Sequence, residues 1–209
     1  MATLIIDAGE TVPDMPGSRF GGLPLVPDGF DWPVCHTCKN LLQFVGQLDL
    51  PQWPDDVRLM AIFMCNSAPG TCETWSPITG ANQALVFTGG LRPTAAPILL
   101  DAENELVRPA TAVRLVSVEP AAGEDEDDEY WLSQMAWKAR HQEEAPRVLG
   151  QFGGRPSWLQ APETPHCPSC YRPMTFAAQL EEHGANFGTG EAFAFHCIAC
   201  HTGSFLWQC

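Results

Sequence analysis

Positive charge is scarce in this chain: 11 Lys and Arg face 25 Asp and Glu, a formal net charge of −14. A surface so short of cations repels phosphate backbones, so nucleic acid is not an expected ligand. Long apolar runs are missing too. None reaches the ~20 residues needed to span a bilayer, and no membrane partner is expected. The opening stretch, Met1 to Asp7, lacks a basic region and holds only a short apolar run, so it does not read as a secretory signal. The expected location is cytoplasmic. Also absent are a P-loop, a Gly-x-Gly-x-x-Gly after a strand, Gly-x-Ser-x-Gly and His-Glu-x-x-His. With them go the commonest signatures of nucleotide binding, esterase and zinc-protease chemistry.

What is abundant is cysteine. Nine in a cytosolic chain need an explanation, and disulfides are a poor one in a reducing compartment, the more so with an odd count. With 45% hydrophobic and 17% charged residues the chain is globular, and 209 residues bury a substantial core. A monomer is expected.

The chain also repeats itself. Phe20-Gly21-Gly22-Leu23-Pro24, Cys35-x-x-Cys38, Phe44 to Leu48 and Phe63-x-Cys65 return 132 residues later as Phe152-Gly153-Gly154-Arg155-Pro156, Cys167-x-x-Cys170, Phe176 to Leu180 and Phe195-x-Cys197. Trp75 and Trp207 share the offset, and 13 positions between residues 20 and 75 are identical without a gap. Roughly three would coincide at ordinary residue frequencies. The pattern implies internal duplication, with a first half over 1–122, an acidic segment and linking helix over 123–148, and a second half over 149–209. The two halves are expected to form one compact unit.

Apolar and β-branched runs predict strands at Thr3 to Ile6, Leu41 to Leu50, Val57 to Cys65, Gln83 to Thr88, Thr111 to Val118, Met174 to Leu180, Glu191 to His196 and Ser204 to Gln208. Phe20 to Pro33 reads as turns, and so does Gln52 to Asp56. The six acids Glu124 to Glu129 read as solvated loop leading into a helix over Glu129 to Glu143. Leu132, Met135, Ala136 and Ala139 fall at i, i+3, i+4 and i+7 and predict its apolar face. The expected class is α+β: β-rich, internally duplicated, with two pseudo-symmetric halves that each carry a four-cysteine zinc knuckle.

Cys35, Cys38, Cys65 and Cys72 form one set of candidate ligands; Cys167, Cys170, Cys197 and Cys200 form the other. A two-residue gap lets one tight turn present two sulfurs to one ion, and four thiolates suit tetrahedral zinc. Two zinc ions are therefore expected. Cys-x₂-Cys-x₂₆-Cys-x₂-Cys in the second set is a strong signal. The first set is weaker, because six residues separate Cys65 from Cys72 and Cys72 aligns with Ser204. His36, His166, His196 and His201 lie close by as alternative ligands, and Cys209 is a spare thiol. A closed four-thiolate shell leaves no position for water or substrate, so catalytic zinc is disfavoured. A redox pair would need its Cys-x-x-Cys at a helix start, whereas these precede strands.

Other chemistry-bearing residues have plainer readings. The Gly-Gly pairs are turns needing positive φ. Gln47 and Gln179 are buried amides serving backbone groups near them. Glu181-Glu182-His183 is a solvated run, and Trp53, Trp75, Trp131, Trp137, Trp158 and Trp207 are core candidates.

Phe20-Gly-Gly-Leu-Pro with Trp32-Pro33, Gln47-Leu48-Asp49-Leu50 and Leu149 to Gln160 resemble the YwqG-like family of bacterial proteins of unknown function. The resemblance covers nearly the whole chain and implies a fold more than an activity. Cys35-x-x-Cys38 followed by Leu42-x-Phe44-x-x-Gln47-Leu48 and Pro51 is similar to the programmed cell death 2 proteins. That similarity implies a chaperone or escort role toward a basic protein, and the acid excess suits such a partner. The sequence thus points to a non-enzymatic zinc-binding interaction module, with a cysteine-based redox sensor or enzyme as the alternative.

Overall fold

The computed structural model describes residues 2–49, 57–67, 71–98, 105–120, 129–142, 145–185 and 189–209. The turn expected at Gln52 to Asp56, Trp53 and the acids Glu124 to Asp128 lie outside these residues.

Ten strands form one antiparallel sheet: β1 (Ala2–Glu10), β2 (Arg19–Phe20), β4 (Gln43–Leu48), β5 (Val57–Met64), β6 (Asn82–Thr88), β8 (Thr111–Val118), β9 (Val148–Phe152), β10 (Thr175–Glu181), β11 (Glu191–Cys197) and β12 (Thr202–Gln208). Their order is β12-β11-β10-β9-β1-β8-β2-β4-β5-β6. That order is a palindrome about β1 and β8. Four strands of the second half run outward on one side, and four of the first half run outward on the other. The end strands β6 and β12 then pack against each other, so the sheet curls almost into a barrel. A small separate ribbon pairs β3 (Leu25–Val26) with β7 (Arg92–Pro93).

Period-two alternation sorts each strand's residues between the inside of this near-barrel and an outer layer. Ile5, Met60, Ile62, Ala84, Ala192, Ala194 and Phe205 belong to one interior cluster drawn from both halves. The alternate residues are buried as well, on the other face. Phe44, Ala61 and Phe63 lie under the first cysteine set, Phe193 and Phe195 under the second, and Leu4 and Ile6 under a helix. Strands buried on both faces read as unbroken apolar runs, which is why Leu59 to Met64 shows no alternation in its residue types.

The helix α1 (Glu129–His141) appears where it was expected, the expected end at Glu143 lying outside the described residues, but it presents a different face. Tyr130, Ser133 and Trp137 are buried, whereas Met135 is 45% exposed and Ala139 is also at the surface. Ring size decides the rotation. Trp137 covers far more area than the alanines, and its indole N–H donates to the Pro146 carbonyl at 2.9 Å. Tyr130 donates to Glu181 Oε1 at 2.6 Å, so both rings bury their bodies and satisfy their polar tips.

The eight expected strands are present with ends shifted by a few residues at most; β2, β3, β7 and β9 were not foreseen. The α-helical content of the described residues is α1 plus the four-residue α2 (Glu182–Ala185). One alignment does not survive. Trp75 lies in the connection before β6, while Trp207 lies within β12, so their shared offset is a coincidence.

Candidate metal centres

Each Cys-x-x-Cys sits in a tight knuckle between an extended lead-in and the following strand. In the first, the Cys35 amide donates to the Asn40 carbonyl at 2.8 Å, and the Lys39 amide donates back to the Cys35 carbonyl at 3.0 Å. Val34 and Leu41 bridge across the neck, and the Leu42 amide donates to the Pro33 carbonyl at 2.9 Å. The same bonds recur 132 residues on: Cys167 to Arg172 at 2.9 Å, Tyr171 to Cys167 at 2.8 Å and Met174 to Pro165 at 2.9 Å, with a His166–Pro173 bridge. Lys39 (φ 64°) and Tyr171 (φ 60°) close the turns in the left-handed region, which non-glycine residues enter only when the surroundings require it.

The second pairs come from strand ends. Cys65 follows β5 and donates its amide to the Ala81 carbonyl at 2.8 Å, with Cys72 in the connection between them. Cys197 ends β11, and a 3₁₀ turn, Ile198–Cys200, carries the last ligand. In each set of four, the sulfurs all lie within 4.8 Å of one another. Cys38 and Cys65 sulfurs are 3.6 Å apart, and Cys170 and Cys197 sulfurs 3.7 Å. Four thiolates about 2.3 Å from a tetrahedral zinc stand about 3.8 Å apart, so the donor sets fit that ion in type, number and spacing.

One thiol of each set, Cys35 and Cys167, is biased toward ionisation before any cation arrives. Burial opposes this at Cys35, but the amides of Cys38 and Thr37 donate to its sulfur, and its pKa falls to about 7. At Cys167 burial is likewise outweighed by the amides of Cys170 and Ser169, and the value falls to about 6. Cys72, Cys197 and Cys200 go the other way. Burial and the neighbouring sulfurs push Cys72 well up, while the hydrogen bond with Cys170, then burial, raises Cys200 to about 12. Each knuckle thus offers a low-pKa thiolate first, and a bound cation would displace the remaining protons.

The eight cysteines predicted from the sequence come together as those two sets, and no histidine joins either set among the described residues. His36 instead packs against Gly80, where any Cβ would strike its ring. His196 is buried on β11, and burial lowers its pKa to about 4. Cys209 is exposed.

The repeated glutamines serve the Gly-Gly loops. Gln47 accepts from the Leu25 amide at 3.1 Å and donates to the Gly17 carbonyl at 2.8 Å; Gln179 accepts from the Ser157 amide at 2.8 Å. Gly21 and Gly153 donate to Val45 and Ala177 at 2.9 and 2.8 Å.

Two polar features escaped the sequence reading. Arg19 is buried and donates to the carbonyls of Met15, Gly21 and Leu23; Gln151 holds the equivalent place and donates to the Arg155 carbonyl. Glu181, read as part of a solvated run, accepts from Tyr130 and Gln134 and lies directly across from Glu191. Burial, then Glu181, raises the Glu191 pKa to about 7, against the hydrogen bond from Gln179.

No protein-family model matches the chain. Over 66 residues, 30% of its length, it is 33% identical to the uncharacterized protein YpfL of Salmonella typhimurium strain LT2. The aligned stretch spans 16% of that relative, so the likeness is local and to a bacterial protein of unestablished role. Among the described residues, no helix is long and apolar enough to cross a membrane.

Proposed function

We propose that this chain is a non-enzymatic protein-interaction module stapled by two zinc ions, which escorts a basic protein partner. The observation that carries the reading is the closure of both donor sets: four cysteine sulfurs within 4.8 Å fill a tetrahedral shell and leave no site for substrate. The chemistry such ions supply is cross-linking. Each would pin a knuckle to the ends of two strands and so fix the outer layer of the sheet. The acid excess supports a basic partner through long-range attraction, and the resemblance to the programmed cell death 2 proteins supports an escort role. A cytoplasmic monomer that binds neither nucleic acid nor membrane completes the proposal.

In this reading the halves 1–122 and 149–209, joined by 123–148, descend from one duplicated segment, as the YwqG-like resemblance also suggests. Its support is the recurrence of knuckle, loop and glutamine hydrogen bonds at one offset, together with the palindromic strand order.

Elemental analysis tests the metal, with two zinc ions per chain expected. Retention of basic proteins on the immobilised chain at low salt, weakening at moderate salt, tests the partner. Failure to retain any basic protein at either ionic strength sinks the escort role.

The lowered thiol pKa values of Cys35 and Cys167 favour one rival, a redox sensor. Thiol titration of the native protein separates the two. About one accessible thiol, Cys209, fits the module, whereas rapid reaction of several fits the sensor.

A further inference from the structure

The halves differ where β4 and β10 end. Asp49, just past β4, lies 132 residues before Glu181, and Leu25 and Leu59 lie as far before Ser157 and Glu191. In the second half this corner is polar and occupied. Gln179 hydrogen-bonds the Ser157 backbone and the Glu191 carboxyl, and Glu181 accepts from Tyr130 and Gln134 of α1. Among the described residues no helix precedes β2, so the first half has no counterpart of α1. A cavity of about 170 Å³ stands there instead, lined by Gly17, Leu25, Asp49, Leu59, Gly89 and Leu91. Its walls are already held. Gln47 donates to the Gly17 carbonyl at 2.8 Å and accepts from the Leu25 amide at 3.1 Å. The Ser18 hydroxyl accepts from the Asp49 amide at 2.8 Å. The β7 strand, which starts one residue after Leu91, pairs with β3, which starts at Leu25.

Size and lining say what the cavity accepts. It has room for about six waters, well below the ~300 Å³ at which sites for whole small molecules begin. One long side chain suits it. Three leucines make it apolar, and Leu59, 3% exposed, forms its floor. Asp49 is exposed and therefore stands at the mouth; among the described residues it is the one charged side chain of the lining. The neighbouring cation, Arg92, is engaged by Asp28 at 2.9 Å. An unbranched apolar stem with a positive tip is the complement of such a slot. Lysine fits it better than arginine. Its compact ammonium needs one carboxylate, whereas a guanidinium presents a planar fork of five donors that a single carboxylate and three leucines leave mostly unmet.

We propose that this cavity takes a single lysine side chain of the basic partner, with the stem against Leu25, Leu59 and Leu91 and the ammonium against Asp49. This deepens the escort reading and rests on it. The acid excess draws the partner in at long range, and the slot selects one of its lysines at contact. Because the walls are fixed beforehand, little ordering opposes entry.

The test uses the full zinc-loaded chain, labelled with nitrogen-15, and the end-blocked peptide Gly-Ser-Gly-Lys-Gly-Ser-Gly, titrated at moderate salt to screen long-range attraction. Saturating amide shifts are expected at Gly17, Asp49 and Gly89. Replacing the lysine by norleucine keeps an apolar stem and removes the charge; replacing it by diaminopropionate keeps the charge and removes three methylenes. Each is expected to weaken binding at least fivefold, and arginine at least threefold. Asp49→Asn is expected to cost at least fivefold while keeping native melting and zinc content, since that side chain is exposed. Glu10→Gln removes an exposed acid elsewhere and is expected to change binding less than twofold. The peptide series on the unmodified chain stands whether or not the variants fold.

Binding of the norleucine or diaminopropionate peptide as tight as that of the lysine peptide, full binding by Asp49→Asn, or shifts that spare Gly17 and Gly89 would each overturn the proposal. Equal binding of the arginine peptide overturns the assignment to lysine. Basic proteins retained equally by wild type and Asp49→Asn remove the slot but leave the escort reading standing. Retention by neither removes that reading itself.

Discussion

Cys65 reaches the strand beyond it, at Ala81, across sixteen positions, whereas Cys197 reaches its counterpart, Thr202, across five; the cysteine that completes each site lies inside that connection. The longer connection buries Cys72 completely and leaves Cys35, Cys65 and Cys72 all below 5% exposure. The shorter one leaves Cys200 half-buried, and only Cys167 of its set is fully buried. Both sites rest on aromatic cores, Phe44 and Phe63 under the first and Phe193 and Phe195 under the second, but three sulfurs of the first are buried in its core against one of the second. One knuckle plan thus gives an enclosed site and an accessible one, and the difference lies in eleven residues of loop rather than in the ligands.

Removing a ligand from each site is the strongest way to probe that contrast. Cys38→Ser and Cys170→Ser are each expected to leave one zinc ion per chain by native mass spectrometry. Each is expected to cost on the order of 5 kcal/mol in denaturant unfolding, because binding energy at such sites is folding energy. The first is expected to cost more. In the unmodified chain a chelator should strip the second site first, and only the ion retained by Cys38→Ser should leave quickly. Equal release rates would erase the distinction.

The paired Gly-Gly loops offer a smaller contrast. Gly22 and Gly154 are equivalent and both left-handed, at φ 71° and 76°. A Cβ at Gly22 would strike the Pro13 carbonyl, while at Gly154 the nearest atom is 3.9 Å away, in the Gln151 side chain. Gly154→Ala is expected to cost about 1–2 kcal/mol for backbone conformation alone. For Gly22→Ala the expectation is about 3 kcal/mol, since backbone must move. Comparable melting losses would contradict this reading of the loops.

The two tryptophans divide in the same way. Trp207→Ala removes a ring packed on the barrel interior and is expected to cost about 2 kcal/mol. Trp75, 45% exposed, is expected to cost less than about 0.5 kcal/mol as alanine. A large loss at Trp75 would restore the equivalence that the strands deny.

The smallest effect tests position 191, which is Glu where the first half has the buried Leu59. Its carboxyl is held neutral by burial and then by Glu181, with a pKa near 7. The neutral form stabilises the fold below the ordinary glutamate range, and that contribution is lost as pH rises through about 7. Glu191→Gln is expected to melt like wild type at pH 4.5 and to be more stable by on the order of 1 kcal/mol at pH 8, allowing for solvent screening. A constant difference across that range would remove Glu191 as the titrating group.

Much of this was legible in the sequence because it depends on local chemistry. A Cys-x-x-Cys between extended segments makes its own turn, so the two knuckles could be read directly from residue spacing. Gly21, Gly153, Gln47 and Gln179 announced their loops because few residues tolerate those backbone angles or fill those buried amide positions. The helix face was misread because counting apolar positions weighs Ala139 like Trp137, although burial follows area. Glu181 and Glu191 were unreadable as a pair, since only strand register sets them opposite each other. The meeting of β6 and β12 depends on the curvature of the whole sheet, which no stretch of residues encodes alone.

The place of β1 has a consequence for how the protein is made. Thr3 pairs with Ser117 on one side and Phe152 on the other, so β1 acquires its two neighbours only after the long stretch of chain that separates it from β8 and β9 has left the ribosome. Until then Leu4, Ile5 and Ile6 travel as a bare apolar ribbon, and closing loops of that length is slow. Nascent chains halted before β8 are therefore the form most exposed to aggregation.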